Sequence, residues 1–473
     1  MVRGSLVQPA MVLMPPARPS KPWLLLPAIL VATAVGTAIA LAPLPALLAL
    51  PVMVIVACVW KWPALAAYLV IGLTPLTAGI SRGGPLPLVR PHEALALLVG
   101  VALATRGIAQ LRTGQVPKLR LDGVEASIVL LAITSSVVPL VWMTIRQQPI
   151  TTDDLLYALV LWKYLGLYAL IRMSVHTDRE IRRCLWVSVG TACIVAVLAI
   201  LQSLGLPGLS QILATEYAPV AATGGLLARG SSTLGLPAAT ADLMLYNLAI
   251  VSGLWMRGYG RRTLLAPIAA LLVLAALAAG EFSSAIGLVV AVVCIGLVTK
   301  STRLLRIFLP TGLVASQVLQ PVFAERFSGF QSASGLPVSW TGRLYNLENY
   351  FWPQLFSAWN FILGVRAAAR IPVASKAAGY VWIESGYTWL LWGGGIPLLA
   401  SFVFFVLATA KRGWQAARSN AGAASVAGIA TFVAIIVTTV LMMFDPHLTY
   451  RGSADLLFVL IALSAPRLRE VRS

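Results

Sequence analysis

The stretch ASVAGIATFVAIIVTTVLMM, residues 424–443, runs for twenty residues without a charge. A helix needs about 20 mostly apolar residues to cross the hydrocarbon of a bilayer. The stretch is one of many: Leu264 to Ala279 reads the same way, and 59% of the 473 residues are hydrophobic while 11% are charged. The mean hydropathy is +0.86. A soluble domain carries roughly 25% charged residues. Water cannot be the solvent for this much apolar surface, so lipid is. Membrane barrels are built from alternating strands of about ten residues; continuous apolar runs read instead as helices.

The reading gives an all-α polytopic membrane protein with about 12–14 transmembrane helices. The spans fall at 23–41, 43–60, 63–80, 91–109, 123–143, 153–173, 181–204, 238–256, 264–279, 283–299, 305–320, 386–409, 424–443 and 453–466. The second and third are short and proline-bounded, which leaves twelve as the lower count. Residues 1–22, with four prolines after Met14, read as a disordered cytoplasmic tail, and 23–473 as a single transmembrane domain. No cleavage site follows the first span cleanly, so that span is expected to be retained.

Basic residues concentrate on cytoplasmic loops. With both termini cytoplasmic, 24 of the 35 Lys and Arg fall on the inner side and 10 on the outer, with Lys163 inside a span. Clusters alternate accordingly: Arg179/Arg182/Arg183, Arg257/Arg261/Arg262, Lys300/Arg303/Arg306 and Lys411/Arg412. Topology thus accounts for the net charge of +19, and no nucleic-acid partner is needed. Cys58, Cys184, Cys193 and Cys294 form no CxxC pair and read as small packing residues. His92, His176 and His447 show no metal-ligand spacing. Neither a metal nor a cofactor is expected.

Two outer loops stand out, about 205–237 and about 321–385. Loops this long are usually functional or disordered. The second is rich in aromatic residues, including Trp340, Tyr345, Tyr350, Phe351, Trp352, Phe356, Trp359 and Trp382, which argues for order. Residues 344–361 are expected to form a helix along the membrane surface.

Because outer basic residues are scarce, those present need a reason. The long loop carries Arg326, Arg343, Arg366, Arg370 and Lys376; the other loop carries Arg229; the last outer turn, DPHLTYR at 445–451, carries His447 and Arg451. Arginine binds phosphate through a planar fork. Arginines beside aromatic rings suit a lipid-linked diphosphate bearing sugars; the alternatives are lipid phosphates, or pairing with Glu325 and Glu348. Arg229 opens RGSSTLGLP at 229–237, a segment suited to a tight turn lining a cavity. Glu384, in WIESGYTWL at 382–390, sits where the long loop returns to the membrane and suits general acid-base work. Lys163 lies deep in a span, with Asp242 as a candidate partner. His447 reads as an exposed histidine or a proton shuttle.

Four elements together resemble the O-antigen ligase and O-antigen polymerase superfamily of bacterial envelope enzymes, over roughly residues 150–465. They are the Arg229 to Pro237 segment; Ser283-Ser284 opening a span, with Ala285 where the family commonly has Arg; Thr341-Gly342-Arg343 followed by aromatic residues and Leu363-Gly364-Val365, with Arg366 in place of a Gly; and Glu384-Ser385-Gly386-Tyr387 with Gly393-Gly394-Gly395-Ile396 downstream.

The resemblance implies a metal-independent glycosyltransferase in the bacterial cytoplasmic membrane. Its donor is a glycan on undecaprenyl diphosphate, and it acts on the outer face. Arg229 and Arg343 are carried over as diphosphate ligands, with Arg326, Arg366, Arg370, Lys163, Arg451 and His447 as further substrate contacts. Ligases of this kind have a histidine where the long loop returns to the membrane; this loop contains none, and Glu384 stands nearby. That favours a polymerase with Glu384 as the base. A ligase onto another acceptor and a lipid-linked glycan flippase are the alternatives. The expected partners are the lipid-linked glycan, the bilayer, and a chain-length regulator or flippase.

Overall fold

A computed structural model describes residues 43–81, 89–112, 122–217, 229–300, 338–374, 379–419 and 422–466, with isolated positions between 310 and 324. The expected tail at 1–22, the span at 23–41, most of the span at 305–320, and Glu325, Arg326 and Lys376 lie outside these residues. The chain divides into two units, Met1–Ala57 and Cys58–Ser473. In the first, the described residues are helical from Pro43. The second holds all that follows.

The protein is an all-α polytopic membrane protein. Among the described residues, eight helices are long and apolar enough to cross a membrane, and four more are shorter and apolar. The large apolar side chains that the fold leaves exposed, such as Leu97, Val101, Val289 and Leu407, lie on these helices and face where lipid would be.

Among the described residues, seven helices precede the loop at about 205–237: α1 (Pro43–Lys61), α2 (Ala64–Thr77), α3 (Pro91–Arg112), α4 (Gly123–Ile145), α5 (Thr152–Ala158) and α6 (Val160–Ser174), which together form one candidate span, and α7 (Asp178–Ser203). Three of these begin on reciprocal side-chain caps, at Asp122/Glu125, Thr151/Asp154 and Thr177/Glu180. Such caps fix where a helix starts by satisfying its orphan N–H groups. After α8 (Leu209–Tyr217) come α9 (Pro237–Met256), α10 (Arg262–Ala278) and α11 (Phe282–Thr299). The chain ends with α15 (Gly386–Arg418), α16 (Gly422–Leu441) and α17 (Ser453–Ser464).

Helix α9 is the core: every residue from Pro237 to Leu254 is buried. It packs on α7, α10, α11, α16 and α17. Between membrane helices the hydrophobic effect gives little, so small residues and polar links do the work. Gly253 leaves room for Val426, and Gly413 and Gly428 let α15 and α16 approach backbone to backbone. Ser188 Oγ donates to Asn247 Oδ1 at 2.8 Å, and Tyr246 shares a 2.6 Å hydrogen bond with Thr438.

At the end of the bundle away from the long loop, Arg412 of α15 donates to Asp122, to Glu125 at 2.6 Å and to the Tyr168 hydroxyl at 3.0 Å. Removing one partner of a buried pair leaves its counter-charge unpaired, which costs about 3–5 kcal/mol in a dry site. Asp122 is half exposed, so Arg412→Ala is expected to cost less, up to about 3 kcal/mol. Thermal unfolding of detergent-purified protein measures it; an unchanged midpoint would show the network to be idle.

The described part of the long loop, 338–374 and 379–385, is partly helical. It contains α12 (Val338–Asn346), a π turn (Leu347–Phe351), α13 (Trp352–Phe356), a 3-10 turn, α14 (Asn360–Leu363) and a hairpin of β1 (Arg370–Pro372) with β2 (Tyr380–Trp382). The surface helix expected at 344–361 is therefore broken. Ala358 and Trp359 have φ of 47° and 60°, which no continuous helix allows.

Candidate functional site

Three parts of the chain meet at the loop end of the bundle. Trp340 and Arg343 lie three residues apart on α12, as do Arg343 and Asn346, so they share a helix face. Arg343 Nη1 lies 2.9 Å from Asp445 Oδ2, and its Nε lies 3.8 Å from Glu384 Oε1. Asn346 Nδ2 donates to Glu384 Oε2 at 3.3 Å. Glu384 precedes α15 by two residues, and Asp445 follows α16 by four. Trp340 also packs between Phe282 and Phe444, with ring centroids at 6.3 and 5.3 Å. Each aromatic neighbours a charge, Phe282 beside Glu281 and Phe444 beside Asp445. The site thus has an aromatic wall next to its ion pairs.

Arg229 joins from the other loop: its Nη1 lies 3.2 Å from Glu281 Oε1 at the start of α11. The segment after Arg229 is packed, non-helical and buried, with Ser232, Thr233 and Leu234 in a 3-10 turn. Gln202 holds it by accepting from the Ser232 N–H at 2.8 Å, and Thr233 Oγ1 donates to the Pro75 carbonyl at 2.7 Å. Gly235 has φ +70°, where a side chain would overlap the Tyr217 carbonyl. Irregular backbone at this depth is tolerated only when protein satisfies it.

The electrostatics favour a charged arginine. Burial opposes the Arg343 charge, but Asp445, Glu384 and Glu281 outweigh it and its pKa is raised. Asp445 is pushed up to about 6, chiefly by burial and helped by Glu384 and Glu281, against the pull of Arg343 and His447.

His447 is buried at 1% exposure, which corrects the expectation of an exposed residue. Its turn folds inward, and Nδ1 lies 2.7 Å from Asp242 Oδ2 on α9. The His447 N–H donates to the Asp445 carbonyl at 2.8 Å, tying this pair to the site. Lys163 does not pair with Asp242, as its depth had suggested. It binds Asp455 at 3.1 Å and lies over the Tyr164 ring. Both acids head spans from the same end, and helix packing gives each a different partner. Arg451 donates to the Ala78 carbonyl at 3.5 Å.

Arg366 and Arg370 belong to a different network. Arg366 grips Asp154 with Nε at 3.0 Å and Nη2 at 2.6 Å. Arg370 pairs with Asp153 and stacks near Tyr380 and Trp382. These arginines fasten the hairpin to the start of α5. Arg326 lies outside the described residues.

The structure therefore brings Arg343, Glu384 and His447 to one cluster with Asp445, Asp242 and Glu281, and sets Arg229 on Glu281. Asp445 and Asp242 were legible only as members of a polar turn and a span start. Glu281 was missed; its signal was an acid standing directly before the Ser283-Ser284 helix start. No family model, curated protein or solved structure matches the chain. Fold and composition define its class: a multi-pass helical membrane protein with a polar site at one end.

Proposed function

We propose that this protein is a glycosyltransferase of the bacterial cytoplasmic membrane that polymerises undecaprenyl-diphosphate-linked oligosaccharide repeats on the outer face, as an O-antigen or exopolysaccharide polymerase does. The observation that carries the reading is the meeting of Arg343 and Glu384. They lie forty-one residues apart in the chain, yet a helix face and a span start bring them within 3.8 Å. A guanidinium and a carboxylate side by side, against an aromatic wall, suit a donor with a diphosphate and a sugar. Arg343 would hold the diphosphate and offset the charge that grows on it as the glycosidic bond breaks. Glu384, a third exposed, would accept the proton of the attacking sugar hydroxyl. Arg229 would add charge beside Glu281.

In this reading the hydroxyl of one lipid-linked glycan attacks the anomeric carbon of another. The new glycosidic bond forms, the bond to the diphosphate breaks, and the polyprenyl diphosphate leaves with that bond's electrons. A ligase acting on a foreign acceptor uses the same chemistry with a different hydroxyl. A flippase breaks no bond and has no use for a base.

Glu384→Gln keeps the hydrogen bond to Asn346 but cannot take a proton. Transfer is expected to slow by about a hundredfold while donor affinity changes little. The check is single-turnover transfer in proteoliposomes beside direct donor binding. A loss of affinity with unchanged turnover would make Glu384 an organiser of Arg343 instead of a base.

A further inference from the structure

Arg343 is already occupied by an acid. Asp445 is buried at 7% and lies 2.9 Å from Nη1, closer and deeper than Glu384. Carboxylate and phosphate use the same donors of a guanidinium. A diphosphate that binds Arg343 as proposed above would therefore compete with Asp445 for them.

The surroundings decide what happens to the displaced acid. The groups facing Asp445 are Arg343 on α12, Glu384 before α15, Glu281 before α11, and His447 and Tyr450 on its own turn. Asp242 of α9 lies behind His447. Apart from Arg343, the fixed charges that face Asp445 are acidic; Arg229, the other cation at this end, is taken up by Glu281 at 3.2 Å. His447 has one nitrogen on Asp242; its Nε2 and Asp242 Oδ1 are buried without a hydrogen-bond partner. Arg229 Nε and Ser284 Oγ are likewise buried and unpartnered at this end. Each such atom calls for an explanation, a water or a ligand's polar group among them. A buried carboxylate that loses its arginine among other acids cannot stay ionised.

We propose that Asp445 is a built-in competitor that holds Arg343 while the site is empty, yields it to the donor's diphosphate, and takes up one proton on doing so. The inference rests on the donor reading of the site. It makes donor binding proton-coupled and gives the 445–451 turn a role in substrate exchange. When the product leaves, Asp445 releases the proton and recaptures Arg343, which helps to expel the spent polyprenyl diphosphate.

The sign follows from linkage. In the empty site Asp445 titrates at about 6; without Arg343 and beside an anion, its pKa is higher. Between the two values, binding takes up a proton, so affinity falls as pH rises, by up to about tenfold per pH unit. Below the lower value the effect vanishes, because Asp445 is protonated in both states.

The test uses full-length protein in nanodiscs and a non-cleavable C-glycosyl analogue of a polyprenyl diphosphate sugar. Each phosphorus of this probe keeps a single, strongly acidic oxygen, so its charge is fixed over the range, and any proton gained belongs to the protein. Titration calorimetry between about pH 5.5 and 8.5, in two buffers of different ionisation enthalpy, counts protons taken up per ligand. The expected result is uptake approaching one proton near neutral pH. Asp445→Asn should bind the probe at least about tenfold more tightly at pH 8 and lose the pH dependence. A pH dependence that survives in Asp445→Asn would belong to another group and overturn the assignment. Wild-type binding that is flat with pH and abolished by Arg343→Ala would overturn the competitor while leaving the donor reading intact. No binding by the wild type at any pH would overturn both.

Discussion

Arg343→Ala is expected to cut chain growth by about a hundred- to a thousandfold, the range seen when one preorganised donor to a developing oxyanion is removed. The side chain is the one cation that both Glu384 and Asp445 contact in the described structure. On the proposed reading, removal takes away the main ligand of the donor's diphosphate, and it leaves Asp445 buried without its counter-ion. The second effect threatens folding, so the single variant is not sufficient. Arg343→Ala combined with Asp445→Asn removes the orphaned charge. The double variant should purify and melt like the wild type yet remain inactive. Arg343→Lys keeps the charge but loses the planar fork, and should recover only part of the rate. Membrane insertion should be normal in all three. Full chain growth in the double variant would sink the assignment.

Gly395→Ala is expected to be nearly as damaging, through the fold. Gly395 sits inside α15 with φ +66° and ψ −155°, a region essentially reserved for glycine. A methyl group there would overlap the Ile362 carbonyl of α14. Gly364 makes the reciprocal approach, where a Cβ would lie 2.8 Å from the Trp392 carbonyl. These glycines let the long loop settle on α15, where Val365 N–H donates to Trp392 O at 2.7 Å. Glu384 lies between β2 and the start of the same α15. The backbone strain alone costs about 1–3 kcal/mol, and the overlap adds to it. Monodisperse protein after extraction should fall sharply, and chain growth with it. Gly393→Ala is the control: its nearest neighbour would be Leu398 at 3.8 Å, so little should change. Equal behaviour of the two variants would show that the docking geometry does not matter.

The spans were legible because lipid imposes a length and a composition on each of them separately. Residues 123–143 and 424–443 could be read without knowing any neighbour, and helices occupy Gly123–Ile145 and Gly422–Leu441. The ion pairs were not legible, because a pair is decided by which helix faces which. Sequence reading offered Asp242 as the partner of Lys163, but Asp455 heads a span from the same end. Rotation and packing gave it Asp455, and sent Asp242 to His447. The same ignorance left Arg366 and Arg370 among the expected substrate contacts. Arg366 pairs with Asp154 and Arg370 with Asp153, consecutive acids at a helix start that sequence reading treated only as the edge of a span. His447 looked exposed because it follows Asp445-Pro446 in a polar turn. A 3-10 turn at His447–Thr449 swings it inward, and no periodicity announces that. In the described part of the long loop, the broken path depends on two left-handed residues, Ala358 and Trp359, which aromatic content does not announce.

The most direct test of the central claim is reconstitution of the purified protein in liposomes with undecaprenyl-diphosphate-linked repeat units and no other acceptor, followed by sizing of the products by gel and mass spectrometry. The account predicts a ladder spaced by one repeat unit, absent with the Arg343→Ala/Asp445→Asn variant. Donor cleavage that appears only when a foreign acceptor is added would contradict polymerisation and identify a ligase. Movement of intact lipid-linked glycan across the bilayer, with no bond made under any acceptor, would contradict a transferase altogether.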